Sequence, residues 1–343
     1  MRTPQALAKE QNPEDPPSPD GTSGPASAPE EKLDRELLTV ALVVVLGIAM
    51  SALDMTAVNV SLNRLANDYS TPLTTVQWVA TAYTLALAAV IPVTAWAIGR
   101  FGTRRVYSAS VGVFLAGSVL CGMAWSVESL IAFRVLQGLG GGMIMPVGMT
   151  IMTRRAGDKM PQVMAILGIP MQLAPMMGPL IGGWLVDAVS WRWIFYLNLP
   201  LGVLALVLAA RVLGPDKAER TRPIDVVGLL LVSPGLSALI FGLTTGAHDG
   251  DFGSASAALP TGAGAVLLGA FVWHALRTAD PLIDLRLLRR RAVGASATAL
   301  LLFISGFFGV MLLAPMYFQM VHGESATTTG LLLLPAGFGT MLT

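Results

Sequence analysis

Two ionisable side chains stand inside runs that are otherwise apolar. Asp54 lies in LDMTAVNVSL, with Thr56 and Asn59 adding polarity nearby. Ionisable groups at bilayer depth cost several kcal/mol, so each is a functional hypothesis by default. Read as a lone carboxylate in a low-dielectric setting, Asp54 has its charged form disfavoured by desolvation. Such a group can load and release a proton, or pair with a cationic ligand. The structural alternative is an acid hydrogen-bonded at the helix end. Arg134 sits in RVLQGLGGG, with Gln137 three residues on and therefore on the same helix face. An arginine does not readily lose its proton, so it must find a carboxylate, a backbone carbonyl or water. It is either a fixed positive charge that tunes a nearby proton site or a residue snorkelling near the outer interface.

A second kind of pattern concerns movement. Residues 168–187 read GIPMQLAPMMGPLIGGWLVD. Pro170, Pro175 and Pro179 each remove a backbone donor and tend to bend a helix. Gly178 and Gly182 form G-x-x-x-G, which permits close helix contact, and Gly183 widens that smooth face. The combination describes a bendable helix with a flat packing surface; G-x-x-x-G alone is equally a static packing site. Gly138 and Gly142 make a similar face beside Arg134. Gln172 is a polar cavity candidate, and the methionines Met171, Met176 and Met177 read mainly as packing. GRFGTRR, at residues 99–105, is a tight turn rich in arginine, with Gly99 and Gly102 supplying turn geometry. Asp68, Glu128 and Asp187 sit at outer helix ends and read as structural.

The elements that must position these groups are membrane spans. Of 343 residues, 54% are hydrophobic and 13% charged, with a mean hydropathy of +0.65. A soluble domain carries about 25% charge. Ten apolar stretches cover about 38–60, 75–98, 105–125, 129–152, 162–186, 193–213, 224–246, 258–277, 292–320 and 328–343. Nine are long enough to cross a bilayer, which takes about 20 residues. All but Arg64, Arg134 and Arg192 of the 22 lysines and arginines fall in the tail or in alternate loops. By the positive-inside rule this predicts a multi-pass protein of the cytoplasmic membrane with its N-terminus in the cytoplasm. Residues 1–36 are rich in proline and charge and read as a disordered cytoplasmic tail. They lack the basic start and apolar run of a signal peptide.

The same composition excludes other classes. A net charge of +1 offers no field for nucleic acid. Cys121 alone makes no disulfide framework, and His248, His274 and His322 are too scattered for a metal cluster. No triad spacing or phosphate-binding glycine loop appears, and GLGGG at 138–142 lies inside an apolar helix. The chain therefore reads as no enzyme and as needing no cofactor.

Taken in order, these segments resemble the major facilitator superfamily, and more narrowly its fourteen-span drug:proton antiporters of the EmrB/QacA type. LDMTAVNVSL resembles the group's first-span motif, through Asp54, Thr56 and Asn59. GRFGTRRV resembles the loop signature between spans 2 and 3, through Arg100, Gly102, Arg104 and Arg105. RVLQGLGGG is similar to the fourth-span motif, through Arg134, Gln137 and Gly138. GPLIGG with the preceding Pro175 is similar to the antiporter motif, through Gly178, Pro179, Gly182 and Gly183. WRWIFYLNLPLG, at 191–202, is similar to the segment leading into span 6. Two positions depart from the pattern. Gly99 stands where the loop signature has an acid that helps lock the inner helix ends, which implies an altered gate or a substitute contact. Asn63 stands where the first-span motif continues into a proline, a milder change.

The resemblance implies an all-α membrane fold. An N-terminal six-helix bundle would occupy 37–213, two additional helices and a cytoplasmic linker 214–291, and the start of a second bundle 292–343. Its bundles are built from inverted three-helix repeats whose first helices line a central cavity. That makes spans 1, 4 and 9 cavity helices, with Ser305, Tyr317 and Gln319 as further polar candidates. The implied activity is export of an amphipathic or cationic small molecule in exchange for a proton, powered by the proton gradient. Protonation of Asp54 would compete with substrate, Arg134 and Gln137 would bias and orient that equilibrium, and the Gly178–Gly183 face would seal one side. The partners are a small-molecule substrate, protons and lipid. Export of an endogenous lipid or secreted metabolite fits the same cavity, and a non-transporting remnant fits the loss of the acid at Gly99. Against fourteen spans, ten stretches read as a truncated product, and the expectation is that residues 1–343 alone do not transport.

Overall fold

The computed structural model describes residues 35–214 and 223–322, and no strand occurs among them. α1, Arg35–Asp68, contains no proline and only one glycine, Gly47. At 1.5 Å per residue it is about 50 Å long, well beyond a hydrocarbon core of about 30 Å. Its start moves the boundary of the expected tail, because Arg35 and Glu36 are already helical.

The second span is three pieces: α2, Leu73–Val76, α3, Trp78–Val90, and α4, Val93–Phe101. Pro92 sits at the second break; it has no N–H to give, and its ring clashes with the carbonyl four residues back. Gly102, at φ 83°, turns the chain into α5, Thr103–Gly122. Gly99 lies inside α4 instead and supplies no turn. Ser126 and Ser129 form a capping box that starts α6, Val127–Ala156. α7, Met160–Ala188, is one helix despite its prolines. The sixth span breaks at Leu197 into α8, Arg192–Tyr196, and α9, Asn198–Val212. Pro200 explains the break, since it cannot donate to the Tyr196 carbonyl. α10, Val226–Asp249, and α11, Ala255–Arg277, follow, then a 3-10 turn, Leu285–Arg289, and α12, Arg291–Met320. Every expected apolar stretch that falls on described residues is helical, and seven segments among them are long and apolar enough to cross a bilayer. The stretch at 328–343 lies outside the described residues.

α1 and α6 form the interior. α1 packs on α6, α7 and α9, while α6 also packs on α3 and α5. Glycines let α6 approach two neighbours at once. A Cβ on Gly138 would lie 2.5 Å from the Tyr83 carbonyl of α3, and one on Gly142 would lie 2.5 Å from the Leu87 carbonyl. A Cβ on Gly140 would strike the Phe114 backbone nitrogen of α5. The GLGGG run is thus helix packing on opposite sides. At the end of the bundle away from the arginine-rich loops, Val58, Val79, Leu130, Ile194 and Phe195 belong to one apolar cluster. That end is tied by the Trp191 indole, which donates to Asp68 at 3.0 Å, and by Tyr69 and Arg192, which both donate to the Ala124 carbonyl. Arg64 pairs with Asp68 at 3.1 Å, so Arg64 and Arg192 both have structural partners.

α10 and α11 pack on each other, and α10 rests on α3. Ser233 donates to the Ala89 carbonyl at 2.6 Å, Ser237 to the Leu85 carbonyl at 3.4 Å, and Trp78 stacks on Phe241 at 5.2 Å. Ala89 is in the last turn before the Pro92 break, where carbonyls run short of helical donors. Asp225 caps α10 through the Gly228 N–H and also accepts from the Leu282 N–H and meets His274. One carboxylate therefore joins the start of α10, the end of α11 and the linker beyond it.

The glycine contacts make a stability prediction. Gly140→Ala should lower the thermal unfolding midpoint of the purified protein, because a backbone must move to admit one methyl; overpacking of this kind costs about 1–3 kcal/mol. Gly112→Ala, whose Cβ would meet nothing within 4 Å, should leave the midpoint unchanged or raise it slightly. Equal melting of the two variants would contradict the packing described.

Candidate functional site

Five buried polar side chains of the bundle, Asp54, Ser118, Arg134, Gln137 and Asn198, meet in one cluster built on a carboxylate. Asp54 is 1% exposed, on the interior face of α1. Its Oδ2 accepts from Arg134 Nη1 of α6 at 2.5 Å. Its Oδ1 accepts from Gln137 Nε2, also of α6, and from Asn198 Nδ2 of α9, both at 2.8 Å. Ser118 of α5 stands behind them, accepting from Asn198 at 2.9 Å and Gln137 at 3.2 Å and donating to the Phe195 carbonyl of α8. Every element of this cluster is a helix of the interior packing, so its geometry is fixed by the same contacts that hold the bundle.

Arg134 is equally enclosed, at 1% exposure. Its Nε donates to the Val79 carbonyl at 3.1 Å, and its Nη1 also donates to Gln137 Oε1 at 2.8 Å. Its guanidinium lies over the Tyr83 ring, 3.9 Å from the centroid, a favourable arrangement for a desolvated cation. The Tyr83 hydroxyl shares a 3.0 Å hydrogen bond with Ser51. The snorkelling reading of Arg134 is therefore excluded by its burial. The reading of Asp54 as a lone carboxylate is also corrected: it faces a guanidinium and two amide donors. The motif i, i+3 spacing of Arg134 and Gln137 carries both to the same acid.

The smooth face of α7 meets α1 one turn beyond Asp54. A Cβ on Gly178 would overlap the Thr56 hydroxyl, and one on Gly182 would lie 2.9 Å from Ala57 Cα. Gly183 has only ordinary contact, with Val60 Cγ1 at 3.8 Å, and Pro179 is exposed. Close approach thus rests on Gly178 and Gly182. Thr56 spends its hydroxyl on its own helix, donating to the Ala52 and Leu53 carbonyls, and Asn59 is exposed on another face. Tyr317, on α12, is exposed beside Phe318 and His322. None of these three joins the Asp54 cluster. The side chains of Gln172, Pro175 and Gln319 lie outside the described residues. At the arginine-rich end, Arg104 donates to the Ala210 carbonyl at 2.9 Å, fastening the loop to the end of α9, while Arg100 and Arg105 are exposed. A Cβ at Gly99 would meet nothing within 4 Å.

Asn198, Ser118 and Tyr83 are the members that sequence reasoning passed over. Asn198 was legible in principle as the polar residue inside WRWIFYLNLPLG. Ser118 and Tyr83 carry no such signal, since single hydroxyls are common in membrane helices.

Comparison with known proteins agrees with this architecture. The family model described as Major Facilitator Superfamily matches residues 44–343. A "Multidrug resistance protein B homolog" of Mycobacterium tuberculosis is 44% identical over 322 residues, which are 93% of this chain and 59% of that protein. The "Putative multidrug resistance protein MdtD" of Serratia proteamaculans is 34% identical, over 87% of this chain and 62% of its own length. The "Multidrug export protein EmrB" of Haemophilus influenzae is 34% identical, over 88% and 59%. The chain thus spans about three fifths of the length of these curated relatives. Among solved structures, the proton:xylose symporter XylE superposes with a TM-score of 0.53 at 14% identity, covering 90% of this chain and 67% of that one, a likeness of fold.

The ion pair predicts a specific pattern of variant stabilities. Arg134→Met alone should destabilise the folded protein by about 3–5 kcal/mol, because it strands a buried carboxylate. Arg134→Met combined with Asp54→Leu should recover most of that loss. Thermal unfolding of the single and double variants in detergent measures this; simple additivity would show that the two side chains do not act as a pair.

Proposed function

Because this chain belongs to the Major Facilitator Superfamily, we propose that it works in the proton-coupled export of small amphipathic or cationic compounds, a multidrug efflux role, across the cytoplasmic membrane. The names of its relatives support the substrate class. The observation that carries the proton coupling is the enclosed Asp54 carboxylate compensated by a permanent charge at Arg134. The alternation of basic loops supports an N-terminus on the cytoplasmic side.

With Asp54 ionised, the pair is neutral and each oxygen of the acid has a donor. A proton arriving at Asp54 removes the compensation and leaves the guanidinium charge in a dry interior. Stranding one member of a buried pair costs about 3–5 kcal/mol. The protonated protein therefore favours an arrangement in which α1 and α6 part enough for Arg134 to meet water or another acceptor. A proton crossing a membrane potential releases about 2.3 kcal/mol per 100 mV, the same order as that cost. A ligand that binds the closed arrangement better is then excluded by protonation, and reciprocally displaces the proton. The Gly178–Gly182 face lets α7 slide on α1 beside the acid without interlocking side chains. Because Arg134 already occupies the carboxylate, a cationic ligand acts on Asp54 through this competition and not by direct pairing.

Binding of tetraphenylphosphonium to the purified protein in lipid tests the reading. Affinity should rise with pH, by up to about tenfold per unit where one proton is displaced, and Asp54→Asn should make it independent of pH. Binding that is already flat with pH in the unmodified protein would sink the exchange of proton for ligand at Asp54.

A further inference from the structure

Asn198 occupies a position that neither the ion pair nor the motif glycines explain. It is the first residue of α9, and its side chain is 1% exposed. Its amide gives one hydrogen to Asp54 Oδ1 at 2.8 Å and the other to Ser118 Oγ at 2.9 Å. Ser118 in turn donates to the carbonyl of Phe195 in α8, on the other side of the break at Leu197. The two ends of the broken sixth span are thus both wired to the carboxylate, one directly and one through a serine.

We propose that Asn198 is a positioning residue for Asp54, holding the ionised carboxylate and passing the loss of its charge to the break between α8 and α9. The proposal rests on the reading of Asp54 as the proton site. Its logic is the donor count. All three groups facing the carboxylate are donors. A carboxyl that has taken a proton from water carries an O–H and needs an acceptor. Arg134 has none to offer. Gln137 has one, but its Oε1 already accepts from Arg134 Nη1 at 2.8 Å and from Cys121 Sγ at 3.6 Å. Turning it would set its NH2 against the guanidinium. Asn198 has no hydrogen bond to Arg134, so it is the amide that turns, presenting Oδ1 to the new O–H. In doing so it releases Ser118 and loosens the start of α9, where Pro200 has already removed a backbone bond. The titratable groups around Asp54 are Arg134 on α6, Tyr83 on α3 and Cys121 on α5, while α7 faces this part of α1 with Gly178 and Gly182.

The test reads the acid itself, independently of transport. Infrared difference spectra of the purified protein in lipid are recorded across a pH titration, and the protonated-carboxyl band of Asp54 is assigned by its loss in Asp54→Asn. Asn198→Leu, close in size but without a donor, should move the midpoint of that band to higher pH by roughly one unit, the equivalent of one hydrogen bond to a charged acceptor. Asn198→Ser, too short to bridge Asp54 and Ser118, should move it in the same direction and serves if the leucine variant does not fold. A band that titrates identically in both variants overturns the role of Asn198 and leaves Asp54 as the proton site. A titrating band unchanged in Asp54→Asn overturns the reading of Asp54 itself.

Discussion

A carboxylate and a guanidinium taken out of water each lose several kcal/mol of hydration, and that loss is offset only where their geometry and hydrogen bonding are complete. The arrangement of the bundle follows from meeting this condition at Asp54 and Arg134. α1 and α6 must be neighbours for the pair to form. α3 must lie close enough to α6 to lend the Val79 carbonyl and the Tyr83 ring, which is why Gly138 and Gly142 have no side chain between them. α5 and α9 must approach from the other side to complete the acid with Asn198 and Ser118, and Gly117 of α5 allows it by closing on the Gln137 backbone. Remove the pair and these close approaches have no common purpose.

Backbone satisfaction sets the second constraint. In lipid an open carbonyl cannot turn to water, so a break in a helix must be answered by a neighbour. Hydroxyls from neighbouring helices sit beside two of the breaks: Ser233 donates to the Ala89 carbonyl near Pro92, and Ser118 to the Phe195 carbonyl near Leu197. Both hydroxyls come from helices other than the broken one. The bends are therefore shared features of two packed elements, and a change in one helix is felt at the break in another.

Much of this was legible in the residues. Apolar run length gave the helices, because a bilayer demands about 20 residues whatever the packing. The isolation of Asp54 and Arg134 among apolar neighbours marked them, because ionisable groups are rarely tolerated there. Their pairing was hidden from periodicity, which speaks only of one helix at a time, and only the resemblance set Arg134 and Gln137 to work on Asp54. The same limit concealed Asn198, Ser118 and Tyr83, whose chemistry is ordinary until a carboxylate or guanidinium is placed beside them. The prolines marked bends unevenly. Pro92 and Pro200 stand at breaks in their helices, while α7 stays continuous through Pro179. Thr56 and Asn59 are polar by type, but the structure separates them: Thr56 bonds its own helix and Asn59 is exposed on another face, a difference set by rotation about the helix axis.

The separation that hid the pair also shapes how the protein is made. Asp54 is synthesised 80 residues before Arg134 and 144 before Asn198. At about 5–20 residues per second, the first interval lasts roughly 4–16 s. Until Arg134 is made, α1 carries an acid without its partner, at an insertion penalty of about 2.5–3.5 kcal/mol near the helix centre. Against that penalty stands the apolar run of α1, which is long and apolar enough to cross a bilayer. Biogenesis thus holds α1 to a stricter standard than the finished bundle does: it must be hydrophobic enough to be inserted alone, although the acid at its heart is comfortable only in company.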